Sequence, residues 1–204
     1  MNGPMNALLI AASPSARSRS AALLDGAAGA LEHAGVAVHR LVLNDLPAEA
    51  LLRARTAEPL LRDALEQVSR AGAVVLATPI YKAAYSGLLK AFLDLLPQDG
   101  LHGKWIWPLA TGGSPAHTLA LDHSLRPVLD NLGAHQVVPS VYALESQIVF
   151  HGETRGESGA VNLDADVQRR LDIGAARLAN ALESQAHLRQ RDERMRLSVV
   201  RCSA

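Results

Sequence analysis

Three short stretches carry most of the groups that could hold a ligand. Residues 13–20 read SerProSerAlaArgSerArgSer, four hydroxyls and two guanidiniums just ahead of an expected helix. Hydroxyls, free backbone N–H groups and the positive end of a helix dipole together suit a phosphate dianion. The spacing is neither GxGxxG nor a Walker loop, so dinucleotide and triphosphate sites of those kinds lose support. The plainer alternative is a solvated turn in which Ser20 caps the helix.

The second stretch runs from Thr78 to Lys90 and holds Tyr81 and Tyr85, two of the three tyrosines in the chain. Pro79 and the backbone of Ile80 to Lys82 could line the edge of a flat heteroaromatic ring. Tyr81 could stack on or flank that ring, Ser86 could hydrogen-bond its polar edge, and Lys82 could place positive charge near developing negative charge. The alternative is a pair of half-buried loop aromatics beside a solvated lysine. The third stretch, ThrGlyGlySer at 111–114, has glycines that permit close backbone approach and N–H groups able to satisfy a pyrimidine-like edge. Taken alone it is a turn.

The elements around these loops alternate between short apolar runs and helical patterns. Strands are expected at Ala7–Ala12, Val36–Leu43, Ala73–Ala77, Trp105–Ala110 and Gln136–Val141. The second shows alternation and is expected nearer a sheet edge. Helices are expected from Ser20 to about Ala34 with Gly35 closing it, over Glu49–Ala54 and Leu60–Ala71, and from a turn locked by Pro79 through Ser86 and Gly87 to Leu96. Others follow at Ala116–Leu132, kinked by Pro127, and at Asp164–Arg189. Five strands separated by helices imply an α/β doubly wound parallel sheet of order 2-1-3-4-5 with helices on both faces. In that order the switch point lies between strands one and three, where ligands bind outside the carboxyl ends. The loops leaving those strands are the first two stretches, and together with the third they point to flavin mononucleotide (FMN).

Composition sets outer bounds. The 204 residues fit one domain over 1–190, followed by a charged tail at 191–204 expected to be disordered. A formal net charge of zero asks for no nucleic acid and no anionic membrane. The single cysteine, Cys202, fits a reducing compartment, and the N-terminal residues lack the basic region of a signal peptide, so a cytoplasmic location is expected. No His–carboxylate grouping has metal spacing, and no metal site is inferred. Trp105 and Trp107 alternate on one strand and are expected in the core.

The segments SPSARSRS (13–20), ATPIYKAAYSGLLKAFLDLLP (77–97) and LATGGSPAHTLALDHSLRPVL (109–129) resemble the NADPH-dependent FMN reductase family. They are most similar to the flavin reductases that serve alkanesulfonate-assimilating monooxygenases. That resemblance implies a flavodoxin-like fold, homodimers or homotetramers, and FMN and NADPH as partners in an NAD(P)H:FMN oxidoreductase reaction. It places Ser13, Ser15, Ser18, Arg19 and Ser20 at the phosphate, Pro79, Ile80, Tyr81 and Lys82 beside the flavin, and Thr111, Gly112 and Gly113 at its far edge. The family loop commonly has arginine where Ser15 stands, which shifts the charge balance to Arg17 or Arg19. NADPH would stack on the flavin and pass it a hydride while the protein positions both rings, so no side chain is assigned as catalytic. Reduced FMN would then go to a monooxygenase in transient contact.

Some sulfonate-pathway members carry an inserted tyrosine in the fourth helix, associated with a π-bulge and with flavin used as a releasable substrate; His123 takes that position here. Two other readings stand beside this one. One is an FMN-containing quinone, azo or metal-ion reductase with tightly bound flavin. The other is a flavodoxin-type electron carrier, against which the neutral charge counts. The loop from Leu144 to Asp164, with its apolar Ile148, Val149 and Phe150, is expected to make a subunit contact beside the flavin.

Overall fold

Apolar runs bounded by glycine, proline or hydroxyl residues become the strands of one sheet. The computed structural model describes residues 5–15, 17–151 and 161–202. β1 (Asn6–Ala11) leads into α1 (Arg19–His33), and β2 (Ala37–Val42) follows. Two helices, α2 (Ala48–Leu52) and α3 (Pro59–Arg70), precede β3 (Ala73–Tyr81). The chain then turns back into the short β4 (Ala84–Tyr85) and enters α4 (Gly87–Leu93). After β5 (Trp105–Gly112) come a 3-10 turn at Pro115–Leu119, a π-helical turn at Leu121–Leu125 and α5 (Arg126–Asn131). The remaining elements are β6 (Gln136–Val137), β7 (Val141–Leu144), a 3-10 turn at Glu145–Gln147, β8 (Ile148–Phe150), β9 (Val161–Leu163) and α6 (Ala165–Cys202).

The strand order is β2-β1-β3-β5, all parallel, with β6 and β7 both on the outer edge of β5. This is the doubly wound order expected from the sequence. Successive residues of a strand face opposite ways, and here both faces are covered. Leu8 and Ile10 join the core under α3, α4 and α5, built with Leu61, Phe92 and Leu129. Ala7 and Leu9 join the other core, under α1 and α6, with Leu23, Leu31, Leu171 and Leu178. Two-sided burial explains the unbroken apolar runs of β1 and β3 and the mixed, largely exposed pattern of the edge strand β2.

Several expectations need correction. β3 continues four residues past Ala77, so Pro79 lies within a strand and does not lock a turn. The Ala77 carbonyl accepts from the Ala12 N–H, so alternation points the Pro79 nitrogen toward the side where β1 has already ended, and no ladder bond is lost. The fifth strand is split, because Ile106 and Leu109 of β5 pair with Val137 and Val141, leaving one extra residue at 138–140. Pro139, which cannot donate to a ladder, sits in that bulge. α4 ends at Leu93, short of Leu96. The last helix runs on to Cys202, over the segment expected to be a disordered tail.

α6 lies directly on Trp107, which is fully buried. A Cβ at Gly174 would stand 2.2 Å from the indole Cζ2, so only glycine permits this approach. Trp105 packs against the same core, as expected. No helix among the described residues is long and apolar enough to cross a membrane.

Candidate functional site

The loops leaving β1, β3 and β5 converge at the carboxyl edge of the sheet around a cavity of about 190 Å³. Its walls are Ser13, Ser15, Arg17, Ser18, Arg19 and Ser20 from the first loop, Pro79, Ile80 and Tyr81 from β3, and Thr111 from β5. Lys82, Ser86, Gly112 and Gly113, expected at the same place, do not line it. Glu145 and Phe150, from the chain after β7, do. A larger groove of about 880 Å³ lies at the opposite edge beside Leu65, Leu95 and Lys104. The Lys104 Nζ there already donates to the Ser69 and Ala71 carbonyls.

The first loop is arranged around the start of α1. Ser18, not Ser20, is the N-cap: its backbone is extended and its Oγ accepts the Ala21 N–H at 3.1 Å. Ser20 sits in the first turn, buried, with its Oγ 3.3 Å from that of Ser18. Ser13, also buried, accepts the Ser15 N–H at 3.1 Å and sets the turn. The positive end of α1 therefore points into a cluster of hydroxyls, which favours an anion. The two arginines are each met by residues far along the chain. Arg17 lies over the Phe150 ring, 4.7 Å from its centroid, and Arg19 pairs with Glu145 at 3.4 Å.

The second wall is a hairpin. Tyr81 pairs with Ala84 and Ile80 with Tyr85, closing a two-residue turn at Lys82 and Ala83. Both turn residues have positive φ, 49° and 61°. Such turns match strand twist but favour Asn and Gly, so holding Lys and Ala there costs on the order of 1 kcal/mol per residue. The strained tip leaves Tyr81 51% exposed at the rim and Lys82 outside the cavity. Ser86, expected at a ligand edge, is committed elsewhere. Its buried Oγ donates to the Ala12 carbonyl at 2.6 Å and accepts the Leu89 N–H at 3.2 Å, capping α4. Its own N–H donates to Thr78 Oγ1 at 2.9 Å. Ser86 thus ties the ends of β1 and β3 to the start of α4 and positions the hairpin without touching the cavity.

In the third loop only Thr111 reaches the cavity. A Cβ at Gly112 would stand 2.4 Å from the Tyr142 hydroxyl, which donates to the Ser114 carbonyl at 2.7 Å. Gly112 is therefore required by a neighbouring phenol. Gly113 faces open space, its nearest side-chain atom being a Glu145 Oε1 3.9 Å from a hypothetical Cβ. Burial raises the Tyr142 pKa above the ordinary phenol value; the hydrogen bond to Ser114 opposes this and the Glu145 charge adds to it. Burial likewise raises that of Tyr85, against the pull of Lys90.

The expected helix at Ala116–Leu132 is three helical types in series. The irregularity lies immediately ahead of Pro127: the π-helical turn runs straight into α5 with helical backbone at Leu125, so the missing Pro127 N–H falls inside a continuous helical stretch. The distortion is the π-helical turn Leu121–Leu125, with His123 at its centre, packed against β4. The Ser124 hydroxyl donates to the Ala120 carbonyl there. Beside it, the Nδ1 of His117 is shielded and has no hydrogen-bond partner among the described residues. The long loop after β7 is in part an antiparallel pair, β8 with β9, and its central part, 152–160, lies outside the described residues.

Residues 5–148 match the family described as NADPH-dependent FMN reductase. The chain belongs to that family. It is 45% identical over 179 residues to an FMN reductase (NADPH) from Escherichia coli K12, covering 87% of this chain and 90% of that protein. The solved apo form of an NADH:FMN oxidoreductase superposes with a TM-score of 0.75 at 37% identity, over 86% of this chain and 89% of the other. A flavodoxin from Streptococcus pneumoniae aligns at TM-score 0.54 and 16% identity, covering 86% and 98%, a likeness of fold alone. The family's FMN suits the cavity's donor set: hydroxyls and two arginines at a helix N-terminus for a phosphate, and the Pro79–Tyr81 wall for a ring.

Phe150 lies in the 144–164 loop expected beside the flavin, where the sequence suggested a subunit contact and not a cavity wall. Glu145 carried no motif of its own, and its signal was topological, because any loop leaving the fifth strand must emerge at the same sheet edge as the other three.

Proposed function

We propose that the chain is an NAD(P)H-dependent FMN reductase that supplies reduced FMN to a sulfonate monooxygenase. The observation that carries this reading is the meeting of the 13–20 hydroxyl loop with the β3–β4 hairpin in one cavity. When bound, FMN accepts a hydride from the reduced nicotinamide. The protein's part is to bind, orient and exclude water. Ser13, Ser15, Ser18 and Ser20 offer hydroxyls to the phosphate, and Arg17 and Arg19 offer charge. Pro79, Ile80 and the half-exposed Tyr81 form a wall for the ring, with one side left open for the nicotinamide. Thr111 would serve the far edge of the ring, with the Gly113 N–H, outside the cavity lining, proposed as its neighbour there, where donors stabilise negative charge that develops on reduction. Lys82, at the hairpin tip, adds positive potential from outside the cavity, and Gly112 and Ser86 shape the walls. No side chain is assigned a proton-transfer role.

The reading includes a cytoplasmic homodimer or homotetramer that makes transient contact with the monooxygenase, β8 and β9 lying beside the site as a candidate subunit contact. It is supported by the NADPH-dependent relative and by the NADH-dependent solved neighbour, which leave the choice of nicotinamide to measurement. The test is steady-state NADPH and NADH oxidation by the purified protein, with and without added FMN. Turnover that rises with added FMN, from protein that loses its flavin on gel filtration, is the expected result. Turnover without added FMN that needs a quinone or azo acceptor would replace it with a reductase holding its flavin permanently. No flavin-dependent oxidation of either nicotinamide would overturn the reading.

A further inference from the structure

The two arginines of the phosphate loop are held in physically different ways. Arg17 rests on the face of Phe150, 4.7 Å from the centroid, a contact that orients a guanidinium and leaves its charge in place. Arg19, the first residue of α1, is paired at 3.4 Å with a carboxylate, which cancels its charge at short range. That carboxylate, Glu145, lines the same cavity as Ser13, Ser18 and Ser20. An anion already stands where the helix dipole and the hydroxyls favour one.

The placement of Glu145 follows from its turn. The Leu144 N–H donates to Gln147 Oε1 at 2.9 Å, and the Asp164 N–H donates to the Gln147 carbonyl at 2.8 Å. These bonds pin both sides of the 145–147 turn and aim its first side chain across the sheet edge at α1. The pair itself is half exposed, at 43% and 53% of the side-chain surface, so it is weak enough to be displaced.

We propose that Glu145 is a built-in competitor of the ligand phosphate for Arg19, setting the site toward exchange of FMN and away from permanent retention. The proposal rests on the flavin reading above and deepens it. A phosphate entering the loop must share Arg19 with a fixed carboxylate or displace it. Removing that charge therefore tightens binding of phosphate-bearing flavin and leaves a phosphate-free flavin unaffected.

The experiment is titration of full-length wild type and Glu145→Gln with FMN and with riboflavin, followed by flavin fluorescence. From the worth of a half-exposed charge pair, Glu145→Gln is expected to bind FMN roughly two- to fivefold more tightly. Riboflavin affinity stays unchanged, and the KM for FMN falls. In an Arg19→Gln background the gain shrinks, since only direct repulsion of the phosphate remains. Unchanged or weaker FMN binding in Glu145→Gln would overturn the proposal, as would an equal gain for riboflavin or an undiminished gain without Arg19. If wild type neither binds FMN nor oxidises nicotinamide in its presence, the flavin reading itself falls. If wild type binds FMN and Glu145→Gln is no different, only the role of Glu145 does.

Discussion

The cavity has two walls that were built by different means. The β3–β4 hairpin is held by near neighbours in the chain: Thr78 to Ser86, Ile80 to Tyr85, Tyr81 to Ala84. The segment after β7 is held by partners far away, Glu145 by Arg19 across 126 positions and Phe150 by Arg17. Local hydrogen bonds, the innermost between buried Thr78 and Ser86, make a wall that cannot shift there without exposing an unpaired donor. A half-exposed ion pair and a cation over a ring make a wall whose strength depends on charge and can be traded for a ligand. The contrast suggests that one wall gives the site its shape and the other its affinity.

The sharpest way to break this contrast is Ser86→Ala. It removes the buried hydroxyl that serves both the Ala12 carbonyl and the Leu89 N–H, and unfolding stability in urea should fall by about 2–4 kcal/mol. A loss well below 1 kcal/mol would mean that the hairpin is held by something else. Phe150→Leu should behave in the opposite way. Stability is expected to stay within about 1 kcal/mol, while FMN affinity drops roughly two- to fivefold as Arg17 loses its ring. A riboflavin titration, expected to be unchanged, checks that the effect acts through phosphate.

The smallest effect distinguishes two phenols behind these walls, half-buried Tyr85 and buried Tyr142. Tyr85 and Tyr142 both have raised pKa values, chiefly through burial. Above about pH 10 the unfolded chain releases phenolic protons that the folded chain keeps, so stability falls as pH rises through that window. Spectrophotometric titration should show Tyr85 and Tyr142 ionising late. Glu145→Gln should bring Tyr142 slightly back toward the ordinary range and leave Tyr85 alone, because only Tyr142 feels that carboxylate. A shift of Tyr85 in that variant would show that the walls are coupled.

Much of this site was legible because its determinants lie close together in the chain. The hydroxyls at 13–20 announce an anion site through their own side chains, and the helix they precede could be read from its apolar spacing. The apolar run at Ala73–Ala77 and the helix from Gly87 bracket the hairpin. What stayed hidden needed a third partner. The Ala12 carbonyl that Ser86 serves is 74 positions away. The Tyr142 hydroxyl that crowds Gly112 belongs to another strand. Pro79 read as a turn because only the early end of β1 makes a proline harmless at that point of the sheet.

What the sequence determined by itself is the parallel sheet, its order, and three of the four loops at its carboxyl edge, since periodicity and local side-chain chemistry act over a few residues. What only the tertiary structure decided is which groups meet. It joined Ser86 to the Ala12 carbonyl, crowded Gly112 against the Tyr142 hydroxyl, and set Glu145 against Arg19. Those outcomes depend on distances between strands that are remote in the chain, and no local pattern encodes them.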